Sequence, residues 1–316
     1  MPQSAPGSLD PSGPAARDIA GLWWLMLGAG TAVFLLVVAL LVIPMLRRRR
    51  GTPTDDDGHR ADVPPRLANR LIIGLGIVMT GILLVGVLVV SVATMRDVSR
   101  AAPAGSTRID VVGYQFWWSV RYPDADVTVA NELHIPVGEP VEVRLTSADV
   151  IHSFWTPELH GKLDLLPDGT NTLVIEADQP GSYGGECAEF CGIQHTNMGF
   201  LVIAEPPDEF AAWLAGQQQP AEQTAGEGAA LFRSEGCGQC HVIEGVTGAS
   251  AEQPGPDLTH LSSRQTIASD TLENTAANLT EWLRDPSAVK PGTTMPTPEL
   301  TAEQIEQLVA YLESLE

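Results

Sequence analysis

The chain has 316 residues, 44% of them hydrophobic, and 18 Lys and Arg face 39 Asp and Glu, a formal net charge of −21. That length predicts about two domains, and so acidic a chain excludes nucleic acid as a partner because it repels phosphate. The charge is uneven: residues 1–106 hold ten basic and seven acidic groups, residues 107–316 eight basic and thirty-two acidic, a mass that suits solubility or basic partners.

From Ile19 to Leu46, and again from Leu71 to Met95, there is no charged residue. Each run exceeds the ~20 apolar residues that cross a hydrocarbon core of ~30 Å, which predicts a hairpin of two spans, about 19–46 and 71–95, within residues 19–100. The loop between them, residues 47–70, carries seven arginines: Arg47 to Arg50, Arg60, Arg66 and Arg70. By the positive-inside rule this loop is cytoplasmic and both termini, with the segment 1–18, lie outside a bacterial plasma membrane. No basic residue precedes Arg17, so the opening lacks the basic start of a cleaved signal peptide and reads as a retained anchor.

Residues 107–205 read as β. "RIDVVGYQFWWSVRYP", "VTVANELHIP", "EPVEVRLTSA", "NTLVIEA" and "GFLVIAE" are short runs of branched and aromatic residues punctuated by Pro and Gly, the pattern of an antiparallel sandwich. Residues 206–226 predict a short helix, "PPDEFAAWLAGQ", and a linker of small and polar residues. The tail, 227–316, is helices joined by loops. Its last helix shows a capping-box pair, Thr301 and Gln304, ahead of Ile305, Leu308, Val309, Leu312 and Leu315 at helical spacing.

Cys187, Cys191, His195 and Met198 fall within "GECAEFCGIQHTNM". A Cys187–Cys191 disulfide would leave the histidine and methionine without a purpose, and structural zinc does not recruit methionine. Thiolate, imidazole and thioether together select copper. His152, at the end of a predicted strand in "SADVIHSFWTPEL", supplies a second imidazole, and two thiolates favour a shared pair of coppers over one.

"HSFWTPELHGKLDLLPDG" followed by "GECAEFCGIQHTNM" resembles subunit II of the haem–copper cytochrome c oxidases, from the helical hairpin through the β region. The resemblance implies a cupredoxin-like sandwich carrying the dinuclear copper centre CuA. His152 and His195 would be imidazole ligands, Cys187 and Cys191 bridging thiolates, and Met198 and the carbonyl of Glu189 weak axial ligands. The Glu189 carboxylate would turn towards a Mg²⁺ shared with subunit I. Asp149 would lie beside the centre or on a docking face, and Lys162 and Asp164 match a K-x-D of the family. "GYQFWW" resembles its aromatic run, where electrons arrive from a soluble cytochrome c, with Phe116 in place of the usual Trp ahead of Trp117 and Trp118. "PPRLANRLIIG" has no glutamate where the family often feeds a proton channel.

"GCGQCH", with Cys237, Cys240 and His241, has the spacing of covalent haem c attachment, two thioethers followed by an axial imidazole. Met295, in "KPGTTMPTPEL", is the expected sixth ligand, with His260 as competitor; Met/His ligation raises the potential and suits electron transfer. "PGPDL", ending at Leu258, resembles the haem-lining segment of small cytochromes c, and the whole tail resembles an all-α cytochrome c domain fused to subunit II, as in caa3-type oxidases.

The function implied is electron input to a terminal oxidase: from a basic cytochrome c or a bc complex to haem c, to CuA, then to haem in subunit I, where oxygen is reduced to water and protons are translocated, with subunit III as a further partner. The two spans contain no histidine, carboxylate or lysine, so they offer neither a haem ligand nor a proton relay. Two rivals are a copper-bearing subunit of another respiratory reductase, such as a nitric oxide reductase, and a membrane-anchored copper chaperone; the second leaves Met198 and the haem motif unexplained.

Overall fold

The computed structural model describes residues 7–49, 64–221, 226–247 and 254–316. Arg50 and Arg60 of the basic loop and residues 222–225 of the linker lie outside the described residues. One unit, Asp18–Val98, consists of long helices. Helix α1 spans Pro14–Arg49; α2 (Pro65–Leu71) continues through a π-helical segment, Ile72–Met79, into α3 (Thr80–Val98). Both helices outrun the charge-free segments. Proline at the first helical position of each explains the early start, since its fixed φ suits the first turn and its missing N–H is not needed there. The apolar windows have mean hydropathies of 2.7 and 2.8 and none of their residues is buried within the protein. Helices apolar on every side belong in hydrocarbon rather than on a soluble surface. In the π segment the wider turn loosens the backbone ladder, and Thr80 Oγ1 donates to the carbonyl of Leu75 at 3.2 Å.

The other unit comprises Met1–Arg17 and Ser99–Glu316. Its first part is a sandwich of ten strands: β1 (Arg108–Tyr114), β2 (Trp117–Tyr122), β3 (Val127–Ala130), β4 (Glu132–Pro136), β5 (Val141–Ser147), β6 (His152–Trp155), β7 (Leu163–Leu165), β8 (Asn171–Ile175), β9 (Gly181–Cys187) and β10 (Gly199–Glu205). One sheet runs β3-β2-β1-β5-β8 and the other β4-β10-β9-β6-β7. The alternation of buried and half-buried residues in β1 and β5 follows from one face meeting the other sheet. Trp118, Tyr122, Leu133, Leu145, Phe154 and Phe200 fill the space between. Two pairings, β1 with β5 and β4 with β10, are parallel, against the expectation of a wholly antiparallel sandwich. The chain crosses between sheets, so strands that are not consecutive arrive side by side from the same end.

Helix α4 (Pro207–Gln217) packs back on the sandwich: Trp213 stacks on His134 with centroids 3.9 Å apart, and His134 Nδ1 lies 3.1 Å from Glu205. His134 is therefore a packing residue, and His160 Nδ1 is 2.9 Å from the carbonyl of Gly161.

The tail holds α5 (Glu227–Ser234), α6 (Ala276–Arg284), α7 (Pro286–Val289) and α8 (Ala302–Leu312). Helices α5 and α8 cross closely because Gly228 has no side chain; a Cβ there would stand 2.2 Å from the carbonyl of Gln307. The capping box of Thr301 and Gln304 is formed. The sequence pattern does not signal a small hairpin, β11 (Thr266–Ile267) with β12 (Leu272–Glu273). Its tip, Ala268, Ser269 and Asp270, has φ of 53°, 56° and 58°, a left-handed run without glycine that local propensity disfavours and tertiary contacts must hold.

Candidate functional site

Strand β6 delivers His152, and the strand end and turn after β9 deliver the rest. Cys187 closes β9, and its N–H donates to the carbonyl of Met198 at 3.0 Å, tying the base of the 188–198 loop. Within that loop Cys187 Sγ is 3.8 Å from Cys191 Sγ and 3.8 Å from His152 Nδ1. Cys191 Sγ is 3.8 Å from His195 Nδ1 and 3.8 Å from Met198 Sδ, and the carbonyl of Glu189 is 3.2 Å from Cys187 Sγ. All six expected donors thus converge around two thiols, which are free rather than bridged. His152, Cys187 and Cys191 are buried and their donor atoms lie within 4.8 Å of one another.

The electrostatics favour a soft cation. A hydrogen bond between the two thiols, against the cost of burial and with help from His152, lowers the Cys187 thiol well below its ordinary range. Cys191 is driven up because it shares that bond, is itself buried and sits next to the resulting anion. Two buried sulfurs this close share one proton unless a metal charge replaces it, as thiolate-bound metals do. The set of two thiols, two imidazoles, a thioether and a carbonyl fits copper.

The surroundings fix these donors. His152 Nε2 is 2.8 Å from Asp149 Oδ1, leaving Nδ1 for the thiol side. Asp149 Oδ2 also accepts from the Gln115 N–H at 2.7 Å. Gly113 makes room for the imidazole, since a Cβ there would be 2.8 Å from His152 Cδ2, and at Gly185 it would be 2.2 Å from the Phe200 ring. Gly192, with φ +135°, lets the loop turn over Phe116 and Gln115. Lys162 Nζ is 4.0 Å from the Glu189 carboxylate and 3.4 Å from the carbonyl of Ala188. Asp164 sits on β7 opposite Ser153, its carbonyl accepting from Asn171 Nδ2 at 2.7 Å. Trp118 is fully buried in the core, edge-on to Phe200 and Phe154.

In the tail, Cys237, Cys240, His241 and Met295 line one cavity of about 290 Å³. His241 Nδ1 is 2.8 Å from the carbonyl of Pro256, which leaves Nε2 for a metal, and a Cβ on Gly255 would be 2.9 Å from the ring. Burial holds the imidazole below its ordinary pKa, favouring the neutral, ligating form. His260 is not among the lining residues; its Nε2 is 3.0 Å from the carbonyl of Gln219. The attachment pair, an imidazole and a thioether around an apolar cavity fit a haem c.

Phe116, Trp117 and Asn131 of the sandwich line the same cavity. The contact between sandwich and tail is polar and specific. Glu132 Oε1 accepts from the N–H groups of Gln265 and Thr266 at 2.8 and 2.9 Å. Ser269 Oγ donates to the carbonyl of Phe116 at 2.8 Å, and the Gly199 N–H donates to the carbonyl of Ser269 at 3.2 Å. Lys290 Nζ lies 3.0 Å from the carbonyl of Ala268 and 3.4 Å from that of Phe116. The described residues of sandwich and tail form a docked interface.

Residues 125–205 match the family model described as cytochrome c oxidase subunit II, periplasmic domain, and residues 225–316 the model described as cytochrome c. The cytochrome c oxidase subunit 2 of Alkalihalophilus pseudofirmus is 36% identical over 98% of this chain and 90% of its own length. The chain belongs to the cytochrome c oxidase subunit 2 family. The subunit 2 of Bacillus sp. strain PS3 is 37% identical over 66% of this chain and 62% of that protein. A crystal structure of the periplasmic domain of subunit II of cytochrome oxidase from Bradyrhizobium japonicum is 29% identical, covers 37% of this chain and 97% of that one, and has a TM-score of 0.36.

Family membership makes the chain a subunit of a haem–copper oxidase, with copper in its sandwich, haem c in its tail and subunit I as its partner. Asn131, Glu132 and Lys290 at the junction, and Gln115 next to Phe116, are what sequence reasoning missed. The only available signal was their place beside motifs: Gln115 within "GYQFWW" and Lys290 directly before the proline of the methionine loop.

Proposed function

We propose that this chain is the electron-input subunit of its oxidase, with a copper module over about 107–205 and a haem module over about 227–316. Cys187 and Cys191 would bridge two coppers, His152 and His195 would each bind one, and Met198 and the Glu189 carbonyl would complete the set. Cys237 and Cys240 would hold the haem edge, with His241 and Met295 on its two faces. Bound in these places, the two cofactors supply one-electron redox chemistry at high potential.

What the chain adds is rigidity and proximity. The sandwich holds the copper donors in place before and after charge changes, and the Asp149 carboxylate orients His152. The carrying observation is the short bridge between the two donor sets. Phe116 lines the haem cavity while the adjacent Gln115 donates from its side-chain amide to the carbonyl of Cys191. Electrons would pass from a basic cytochrome c or a bc complex to the haem, across this bridge to copper, and on to haem in subunit I for oxygen reduction and proton translocation.

The same reading places the loop 47–70 in the cytoplasm and both termini and both redox modules outside, with subunit III as a further neighbour. The Glu189 carboxylate, with the Lys162 ammonium 4.0 Å away, would contribute one ligand to a Mg²⁺ whose other ligands come from subunit I.

The test is elemental analysis with near-infrared, EPR and pyridine haemochrome spectra of the purified chain, followed by flash reduction of the haem. Two tightly held coppers of mixed valence, one haem c and rapid intramolecular transfer are expected. A single labile copper, or zinc, would refute the reading.

A further inference from the structure

The haem cavity contains a charge and a donor that the chain itself does not satisfy. Lys290 is 3% exposed and lines the cavity, yet its ammonium meets only two backbone carbonyls; among the described residues no carboxylate is paired with it. Burial lowers its pKa to about 8, partly offset by the charge of the Cys191 sulfur nearby. A buried cation without an anion is costly, so such groups are found paired. Among the cavity residues supplied by the sandwich, the indole Nε1 of Trp117 is buried and has no hydrogen-bond partner, while its ring stacks on Tyr114 at 4.5 Å. A buried orphan donor of this kind calls for a missing acceptor.

One group satisfies both. Haem c carries two propionate carboxylates, each an anion with two acceptor oxygens, and the attachment residues Cys237 and Cys240 line the same cavity. We propose that a haem propionate is clasped between the two domains, accepting from the Lys290 ammonium on the cytochrome side and from the Trp117 indole N–H on the sandwich side. The cofactor is then part of the interface rather than cargo behind it. This rests on the reading of the cavity as a haem c site. It goes further by assigning a role to a residue of the copper domain in binding the haem of its neighbour. The arrangement also accounts for a buried Lys290 in a domain rich in Asp and Glu: a lysine that loses its hydration needs a fixed counter-charge to remain protonated.

The experiment uses the full-length chain in its oxidase, with the haem labelled with ¹³C at the propionate carboxyls. It reads redox-induced infrared difference spectra together with the haem c midpoint potential. Lys290→Met and Trp117→Phe are each expected to keep full covalent haem by pyridine haemochrome, to shift a labelled carboxylate band, and to lower the potential, because an unpaired propionate favours ferric iron. Lys290→Arg should restore the band and the potential, which a role confined to packing would not require. Bands and potentials unchanged in both variants would overturn the assignment. So would labelled bands in the unsubstituted chain at the frequency of a water-exposed carboxylate, a result that needs no variant to fold. Absence of covalent haem from the unsubstituted chain would instead overturn the haem reading itself, and this assignment with it.

Discussion

The side-chain amide of Gln115 donates to the carbonyl oxygen of Cys191, and the next residue, Phe116, forms part of the haem cavity wall. One dipeptide therefore touches a candidate bridging ligand on one side and the second redox site on the other. Gln115→Ala removes that hydrogen bond and leaves the backbone link to Asp149 in place. A net loss of about 1 kcal/mol is expected. Haem-to-copper transfer after flash reduction should slow several-fold while the copper content is unchanged. An unchanged rate would show that the contact is only structural.

Glu132 anchors the cytochrome domain from the sandwich side. Its carboxylate accepts from two consecutive backbone N–H groups, those of Gln265 and Thr266. Glu132→Ala leaves the buried Thr266 N–H without an acceptor, at about 1–3 kcal/mol, and releases the part-buried N–H of Gln265. Amide exchange at Gln265 and Thr266 should accelerate strongly, with little change at core amides such as that of Val143. Glu132→Gln keeps an acceptor oxygen and should lie in between.

Asp270, at the tip of the hairpin, gives the interface a pH dependence. Burial, reinforced by the nearby negative Glu132, raises its carboxyl to about 7, and one of its oxygens has no partner. Because the folded value exceeds the ordinary ~3.9, the folded state binds more protons between these limits. Its contribution is fully present below about pH 4 and is lost as pH rises towards 7. Thermal unfolding of the sandwich and tail should therefore show a midpoint that falls over this window. Asp270→Asn, neutral throughout, should flatten the slope; an unaltered slope would assign it to another group.

The candidate ligands were legible because their chemistry is local. Cys187, Cys191, His195 and Met198 must come from one loop, and Cys237, Cys240 and His241 from one turn, so their spacing survives in the sequence. His152 was recoverable because no other strand end offered an imidazole in matching context. The junction was not legible, because its meaning is tertiary. In sequence Lys290 looks like any solvated lysine, and Glu132 like one polar residue in a strand. The parallel pairings of β1 with β5 and β4 with β10 escaped for a related reason, since alternation reports which face is buried and says nothing of the partner's direction. The hairpin tip at Ala268, Ser269 and Asp270 has left-handed backbone without the glycine that would announce it.

Gly113 is a space requirement written as a glycine. Replacing it with alanine would set a Cβ 2.8 Å from Cδ2 of His152, which is fully buried and has no room to yield. Overpacking of this kind costs about 1–3 kcal/mol, and here it is relieved by moving a candidate ligand. Gly113→Ala should lower copper content and perturb the copper EPR signal while leaving covalent haem intact. Gly138→Ala is the control for glycine replacement in the same domain: its φ of +72° carries backbone strain, but a Cβ there meets nothing within 4 Å. Destabilisation with full copper at Gly138, against copper loss at Gly113, separates the two effects.

Met295 and His260 both follow the haem-attachment turn in sequence, and only Met295 lines the cavity with His241. His260 is buried elsewhere, its Nε2 held 3.0 Å from the carbonyl of Gln219. Replacing Met295 with leucine preserves bulk but removes the sulfur. The haem should remain attached, because Cys237 and Cys240 would still hold it covalently, while its midpoint potential drops, since a thioether ligand favours ferrous iron. His260→Gln should leave the potential unchanged and weaken only the contact to Gln219. The reverse pattern, a potential that follows His260 and ignores Met295, would show that the loop at Lys290–Leu300 does not present the sixth ligand.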